Sequence, residues 1–252
     1  MLTTVAELPP ISLEEILGFA ELQTRMDRKY ILEPEAVDAV IAGLDLALRR
    51  LTIDGRHDFR YETTYFDTPS LESFHGAVFG RGRRFKVRTR TYLDSGECLL
   101  ELKTVGGRGH TIKVRSPYPV HARDNLLPGA VRFLTDQGLP VEIVQALRPT
   151  MTTYYSRTTL ADRTGARVTQ DTGLRCRSES GVAGVGDLVL VETKSPGSAT
   201  SFDRLLWSAG HRPVSVSKYG TGMAAIDPTL PSNKWHRTLS RYFVRDHDLV
   251  LS

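Results

Sequence analysis

The sequence predicts an α+β fold in which antiparallel strands form the main sheet and helices pack outside it. Three observations carry that expectation. First, between Arg84 and Arg115 three short runs alternate charged residues with apolar or β-favouring ones: Arg84-Phe85-Lys86-Val87-Arg88-Thr89-Arg90, Leu99-Leu100-Glu101-Leu102-Lys103 and Thr111-Ile112-Lys113-Val114-Arg115. Second, the turns between them, Asp94-Ser95-Gly96 and Gly106-Gly107-Arg108-Gly109, supply the backbone freedom that tight reversals need. Third, no helical period separates the runs, so they should pair in succession as an antiparallel meander.

Side chains of a strand point alternately to opposite faces, so Lys86, Arg88 and Arg90 share one side, as do Glu101 with Lys103 and Lys113 with Arg115. Val87, Leu100, Leu102, Ile112 and Val114 make up the other side, which should be buried. A half-buried sheet with an ordinary solvent face would mix its signs. Here cations dominate, and like charges opposite one another on neighbouring strands repel unless an anion sits between them. The few acids stand one step from a lysine on the same face, as Glu101 does from Lys103 and Glu192 from Lys194. The pattern points to a basic lining around a polyanion.

The rest of the chain follows in order. Ser12 and Glu15 have capping-box spacing, and Leu13, Ile16, Leu17 and Ala20 form the apolar stripe of a short helix. Thr24 to Leu32 reads as a strand with Arg25, Asp27 and Lys29 on one face. Pro34 opens a helix expected to run to about Leu51, with Val37, Val40, Ile41, Leu44 and Leu48 on one side and Gly55 beyond its end. Phe59 to Asp67 is a strand with Tyr61, Thr63 and Tyr65 on one face, ended by Asp67-Thr68-Pro69, and a short helix covers about Leu71 to Phe79. Behind the meander come two helical pieces, around Val131-Phe133-Leu134 and, after Pro140, around Val141 to Leu147. A hairpin follows from Arg148 to Arg177, reversing at Asp162 to Gly165, then a glycine-rich loop and a strand from Asp187 to Lys194. Ser198 is placed to cap a helix over Phe202 to Ala209. Ser215 to Gly220 reads as a polar turn into a short helix near Met223 to Ile226, and Trp235 to Phe243 has helical spacing.

The totals restrict function further. A chain of 252 residues with 40% hydrophobic content can bury a substantial core, so disorder is not indicated. The formal net charge is only +4, so its effect depends on where the cations are concentrated. No apolar run is long enough to cross a bilayer, and the first residues lack signal-peptide character, so a cytoplasmic address is expected. Cys98 and Cys176 read as isolated core thiols. Phosphate-loop, zinc-protease, cysteine-rich metal and serine-elbow signatures are missing, and the seven histidines are scattered. What remains is a set of arginines and lysines with a few carboxylates, the equipment for holding phosphates and a hard divalent cation. Phosphoryl transfer needs little else, since it rests on positioning and charge stabilisation.

One resemblance covers nearly the whole chain, roughly Arg25 to Ile226. Lys29-Tyr30, Tyr65-Phe66-Asp67-Thr68-Pro69, Arg88-Thr89-Arg90, Glu101-Leu102-Lys103 and Ile112-Lys113-Val114-Arg115 are followed by Arg148-Pro149 with Tyr155-Ser156-Arg157-Thr158, then Glu192-Thr193-Lys194 and Ser217-Lys218-Tyr219. In this order they resemble the VTC domain, the polyphosphate polymerase module of the vacuolar transporter chaperone complex and a branch of the triphosphate tunnel metalloenzymes. The resemblance implies an antiparallel β-barrel (tunnel) of about eight strands with helices outside, spanning 24–228 between an N-terminal helical segment 1–23 and a C-terminal tail or helix 229–252. It also implies transfer of the terminal phosphate of ATP to inorganic phosphate or polyphosphate, with Mn2+ or Mg2+ as the divalent ion. By position, Lys29, Arg88, Arg90, Lys103, Lys113, Arg157 and Lys218 match the catalytic phosphate holders, with Tyr155, Ser217 and Arg115 as further substrate contacts. Glu192 matches the metal ligand, and Glu101 is expected either to support the metal or to pair with Lys103. Partners implied are ATP, inorganic phosphate, polyphosphate and a separate membrane protein, which would set the domain at the inner face of a membrane. Nucleic acid is not expected, because Asp27, Glu101 and Glu192 lie among the cations.

Two departures bear on the activity. Tunnel triphosphatases usually open with an E-x-E-x-K strand, where this chain has Arg25-x-Asp27-x-Lys29. Fewer carboxylates give less support to a second metal and an activated water, which favours an already ionised phosphate acceptor over hydrolysis. Ser215 also stands where the eukaryotic polymerases tend to carry a further lysine. A tunnel triphosphatase acting on tripolyphosphate or a nucleoside triphosphate, and a non-catalytic polyphosphate-binding module, are the alternatives that the sequence leaves open.

Overall fold

The computed structural model describes residues 3–18, 25–44, 48–105 and 111–245. The protein is α+β. Its elements run α1 (Thr3–Ala6), β1 (Pro10–Ile11), α2 (Leu13–Gly18), β2 (Arg25–Leu32), α3 (Pro34–Ala42), β3 (Arg49–Leu51), β4 (Phe59–Asp67), α4 (Glu72–Val78), β5 (Arg84–Tyr92), β6 (Glu97–Val105) and β7 (Thr111–Pro117). They continue with α5 (Pro128–Asp136), α6 (Val141–Ala146), β8 (Arg148–Ala161), β9 (Arg167–Ser178), β10 (Gly181–Gly184), β11 (Val189–Pro196), α7 (Ser201–Ser208), α8 (Lys218–Ile226), α9 (His236–Tyr242) and β12 (Val244–Arg245). The chain forms two compact units. One holds Met1–Phe59, Tyr155–Leu174 and Val185–Ser215, and the other Arg60–Tyr154, Arg175–Gly184 and Val216–Ser252.

In the first unit β11 pairs antiparallel with β2 on one side and with β9 on the other. The register sets Lys29 opposite Glu192 and Glu192 opposite Thr169, and the next charged row is Asp27, Lys194 and Arg167. Alternation then turns Tyr30, Leu32, Val189, Val191 and Val168 to the other side, where they form a core with Val37, Val40 and Ile41 of α3 and Phe202 and Leu206 of α7. Helix α7 starts with a capping box: the Thr200 hydroxyl accepts from the Asp203 N–H, and Asp203 accepts from the Thr200 N–H.

In the second unit β4, β5, β6 and β7 form the antiparallel meander read from the sequence. Gly96, at φ 73°, supplies the left-handed position of the β5–β6 turn, and the turn expected at Gly106 to Gly109 lies outside the described residues. Phe66, Val87, Leu100 and Leu102 project from one face onto Ala130 and Leu134 of α5 and Val144 of α6. The two helices therefore brace the apolar side of the sheet and leave the charged stripes on the other. Helix α8 packs closely at its start. A Cβ on Gly222 would come within 2.7 Å of the Cys176 sulfur and 2.9 Å of the Met151 sulfur, and one on Gly220 would collide with the buried Trp235 ring.

Several expectations need correction. The described sheet has twelve strands, not eight, and its ladder is not closed into a barrel; the short β1–β3 pair is parallel. The helix from Pro34 stops at Ala42, and Arg49–Leu51 is a strand pairing with β8 and β1, with Leu48 and Leu51 buried. The glycine-rich loop contains β10, which lies between β9 and β12 in the sheet. Thr200, not Ser198, caps α7. On α2 the Ser12–Glu15 capping box is present, but only Ile16 is buried, and Leu13 and Leu17 are exposed. Ile112 is 60% exposed because β7 is the edge strand of the meander. Ala20 and Thr24 lie outside the described residues.

Candidate functional site

The charged face of the second unit is built by register. Across β5, β6 and β7, Lys86 stands opposite Lys103 and Lys103 opposite Lys113. One pair further along, Arg88 stands opposite Glu101 and Glu101 opposite Arg115, while Arg90 lies opposite Thr63 of β4. Three lysines in one row is the arrangement that cross-strand electrostatics disfavours. Glu101 is a counter-charge beside that row. Its side chain is 2% exposed, with one oxygen 2.5–2.6 Å from the Arg88 guanidinium and the other 2.5 Å from the Lys113 ammonium. Burial pushes the Glu101 carboxyl up, but Arg88, Arg90 and Lys113 outweigh it and hold the group well below the usual carboxylate range. Burial, helped by Arg88 and Arg90 against the pull of Glu101, lowers Lys113 to about 8.

Aromatic groups orient the arginines. The Arg88 guanidinium lies 5.9 Å from the Tyr65 ring and Arg90 5.6 Å from Tyr61. Tyr65 in turn stacks on Tyr219 at 5.1 Å, and the Tyr219 hydroxyl donates to Asp67 at 2.6 Å. Asp67, fully buried, also accepts from the backbone N–H groups of Thr68, Ser73 and Phe74, fixing the start of α4. Two of the sequence motifs thus meet in one anchor, which places Ser217 and Lys218 at the start of α8. The Ser217 hydroxyl accepts from the Gly220 N–H at 3.3 Å and from the Lys86 ammonium at 2.9 Å. Lys103 and Arg115 are exposed, and Lys86, Arg88, Arg90, Ser217 and Lys218 half-buried.

The first unit carries the other candidates on the face of β2, β11 and β9 opposite its core. Lys29 sits directly across from Glu192, and Lys194 reaches back to Glu192 at 3.5 Å. Burial lowers the Lys194 pKa, with Arg157 and Arg167 adding to it against Glu192 and Asp27. Arg157 donates two parallel hydrogen bonds to Asp171, at 2.6 and 2.8 Å, and lies 5.3 Å from the Tyr155 ring. Tyr30 points to the core, where its hydroxyl donates to Asp203 at 2.7 Å and accepts from the Trp207 indole at 3.0 Å. That anchor leaves its neighbour Lys29 on the charged face.

Sequence reasoning missed Asp171, Arg167 and Lys86 as a Ser217 partner, and quoted Tyr65 in a motif without giving it a role. The signal for Lys86 was present, since it shares parity with Arg88. Asp171 gave none, because its partner Arg157 is 14 residues away across a hairpin.

Among the described residues no group of three or more His, Cys, Asp or Glu side chains could hold a metal. A hard divalent ion that takes most of its oxygens from phosphate and water needs only one or two carboxylates. Glu192 fits that requirement. The Thr169 hydroxyl across the ladder from it is buried and has no partner among the described residues, an acceptor available to a bound water. Glu101 is placed differently, both of its oxygens being engaged by cations.

The fold has solved counterparts. It is similar to that of a putative adenylyl cyclase from Hippeastrum described as having a dominant triphosphatase activity, at 15% identity over 79% of this chain and 94% of that one, with a TM-score of 0.51. A putative adenylate cyclase from Vibrio parahaemolyticus also matches, at 11% identity over 77% of this chain and 95% of that one, with a TM-score of 0.46. The relationship is narrower in sequence: the VTC domain model matches residues 24–227, and the chain belongs to the VTC family. No curated protein sequence matches it.

Proposed function

We propose that this protein is an ATP-dependent polyphosphate polymerase, transferring the terminal phosphate of ATP to inorganic phosphate or to a growing polyphosphate chain. The observation that carries the reading is the row of Lys86, Lys103 and Lys113 in register, beside Arg88 and Arg90 and with one buried carboxylate among them. Such a face is under repulsion by itself and is relieved by an anion with several charges along its length. Family membership supports the same substrate class.

In this reading Arg88, Arg90, Lys103, Lys113, Arg115, Ser217 and Lys218 hold phosphate oxygens, and Glu101 fixes the directions of Arg88 and Lys113. On the first unit, taken by itself, Lys29 and Arg157 are the phosphate contacts, with Arg157 aimed by Asp171 and Tyr155 beside it. Glu192 is the residue that would hold Mn2+ or Mg2+, which when bound neutralises charge developing on the transferred group. Among the described residues no three acidic side chains gather to hold a metal, which supports a phosphate acceptor, since no general base is then needed to ionise the nucleophile. A separate membrane protein as partner is part of the same reading. Among the described residues no helix is long and apolar enough to cross a membrane.

Incubation with ATP and manganese should yield long polyphosphate on a gel, lost in Glu192→Ala and in Lys218→Ala. Free phosphate as the only product would overturn the proposal. It would favour the second reading, a triphosphatase, which the activity described for the Hippeastrum protein supports.

A further inference from the structure

The charged stripe of β5 continues past the residues assigned above. Arg84 shares parity with Lys86, Arg88 and Arg90, and at about 3.4 Å per residue it lies about 14 Å along the strand from Arg88. The loop before it presents Arg81 and Arg83, both exposed. Its position is fixed from two sides. The Arg81 N–H donates to the Gly76 carbonyl at 3.0 Å, and the Arg84 side chain runs beside Gly76 of α4. Lys234 donates its ammonium to the Ala77 carbonyl at 2.7 Å, which brings it to the same end of α4. Trp235, buried against Phe74 with ring centroids 6.0 Å apart, pins the segment that carries Lys234. Helix α9 then adds Arg237, exposed in its first turn.

This is a second concentration of cations with its own chemistry. No acidic residue occurs from Gly76 to Leu93 or from Pro228 to Arg245, the two stretches that build it. Burial and the charge of Arg84 lower the Lys234 pKa, an effect consistent with cations brought together without a compensating carboxylate. None of Arg81, Arg83, Arg84, Lys234 and Arg237 belongs to the residues that match the family's phosphate holders.

We infer that Arg81, Arg83, Arg84, Lys234 and Arg237 form a separate binding surface for inorganic polyphosphate chains too long to be held by the β5–β7 stripes alone. The proposal rests on the polyphosphate reading above and deepens it. A triphosphate is bound by the stripes, and a chain of tens of phosphates continues along β5 past Arg84 onto the exposed arginines. The surface therefore discriminates by length, strengthening binding only for a chain that spans both. Because the added contacts are exposed charges meeting a polyanion, they are the most salt-sensitive part of the binding.

The test is titration of the full chain with tripolyphosphate and with polyphosphate of tens of phosphates at several salt concentrations. The variants are Arg81→Ser/Arg83→Ser and, independently, Arg237→Ser, all at exposed positions. The double variant should lose about tenfold in affinity for the long chain, with a shallower salt dependence, while tripolyphosphate binding stays within about twofold. Arg237→Ser should follow in the same direction. Unchanged long-chain affinity in the double variant, or equal loss for both ligands, overturns the inference and leaves the polymerase reading intact. Failure of the unmodified protein to bind polyphosphate of either length overturns both. Equal competition by a single-stranded oligonucleotide of matched charge would assign the surface to nucleic acid and also overturn the inference.

Discussion

Glu101→Gln gives the sharpest view of how the charged face is held. The carboxylate is 2% exposed and contacts Arg88 at 2.5 Å and Lys113 at 2.5 Å, so neutralising it leaves two cations without their counter-charge. Breaking a buried pair from one side costs about 3–5 kcal/mol. Arg88 and Lys113 keep 23% and 42% of their side-chain surface in solvent, which places the loss at the lower end, about 3 kcal/mol. For a chain of this size that corresponds to a fall in Tm of roughly 6–12 °C. The same change should tighten tripolyphosphate binding in metal-free buffer, because the ligand then supplies the missing negative charge. Differential scanning calorimetry with and without tripolyphosphate reads both quantities. An unchanged Tm, or weaker metal-free binding in the variant, would refute the assignment of Glu101 as the organiser of Arg88 and Lys113.

Lys113 gives a pH dependence. Its folded pKa is about 8 against an ordinary 10.5, so between those values the unfolded chain holds the proton that the folded chain has lost. Stability should therefore rise with pH through that window, while tripolyphosphate affinity falls by about tenfold as the charged contact disappears. Lys113→Arg should remove both trends in equilibrium titrations from pH 7 to 10. Asp171→Asn should leave Arg157 with one hydrogen bond in place of two and lower kcat/KM by about tenfold. Arg157→Lys, which cannot make the parallel pair, should do the same, whereas equal activity in all three proteins would remove Asp171 from its positioning role.

Much of this arrangement is legible in the chain because strand alternation is a short-range rule. Parity alone puts Lys86, Arg88 and Arg90 on one side of β5 and Val87 on the other, and the apolar residues opposite them do form the core under α5 and α6. Gly96 marks the β5–β6 turn in the same way. Long-range contacts leave no comparable trace. Nothing around Asp67 shows that it receives the Tyr219 hydroxyl from 152 residues away, or around Asp203 that it anchors Tyr30. Leu48 and Leu51 fit the period of the preceding helix, yet tertiary pairing with β8 takes Arg49–Leu51 as a strand. Likewise β10 consists of Gly181–Gly184, whose composition argues against a strand, yet β9 and β12 pair with it on either side.

The most direct measurement concerns Lys103, the middle residue of the lysine row between Lys86 and Lys113. If the row exists to meet an anion, Lys103→Gln relieves repulsion in the unliganded protein and removes a contact in the liganded one. Thermal unfolding should then show a higher Tm without ligand and a smaller rise on adding tripolyphosphate. A variant that matches the unmodified protein in both would mark the row as an ordinary solvent face and contradict the account.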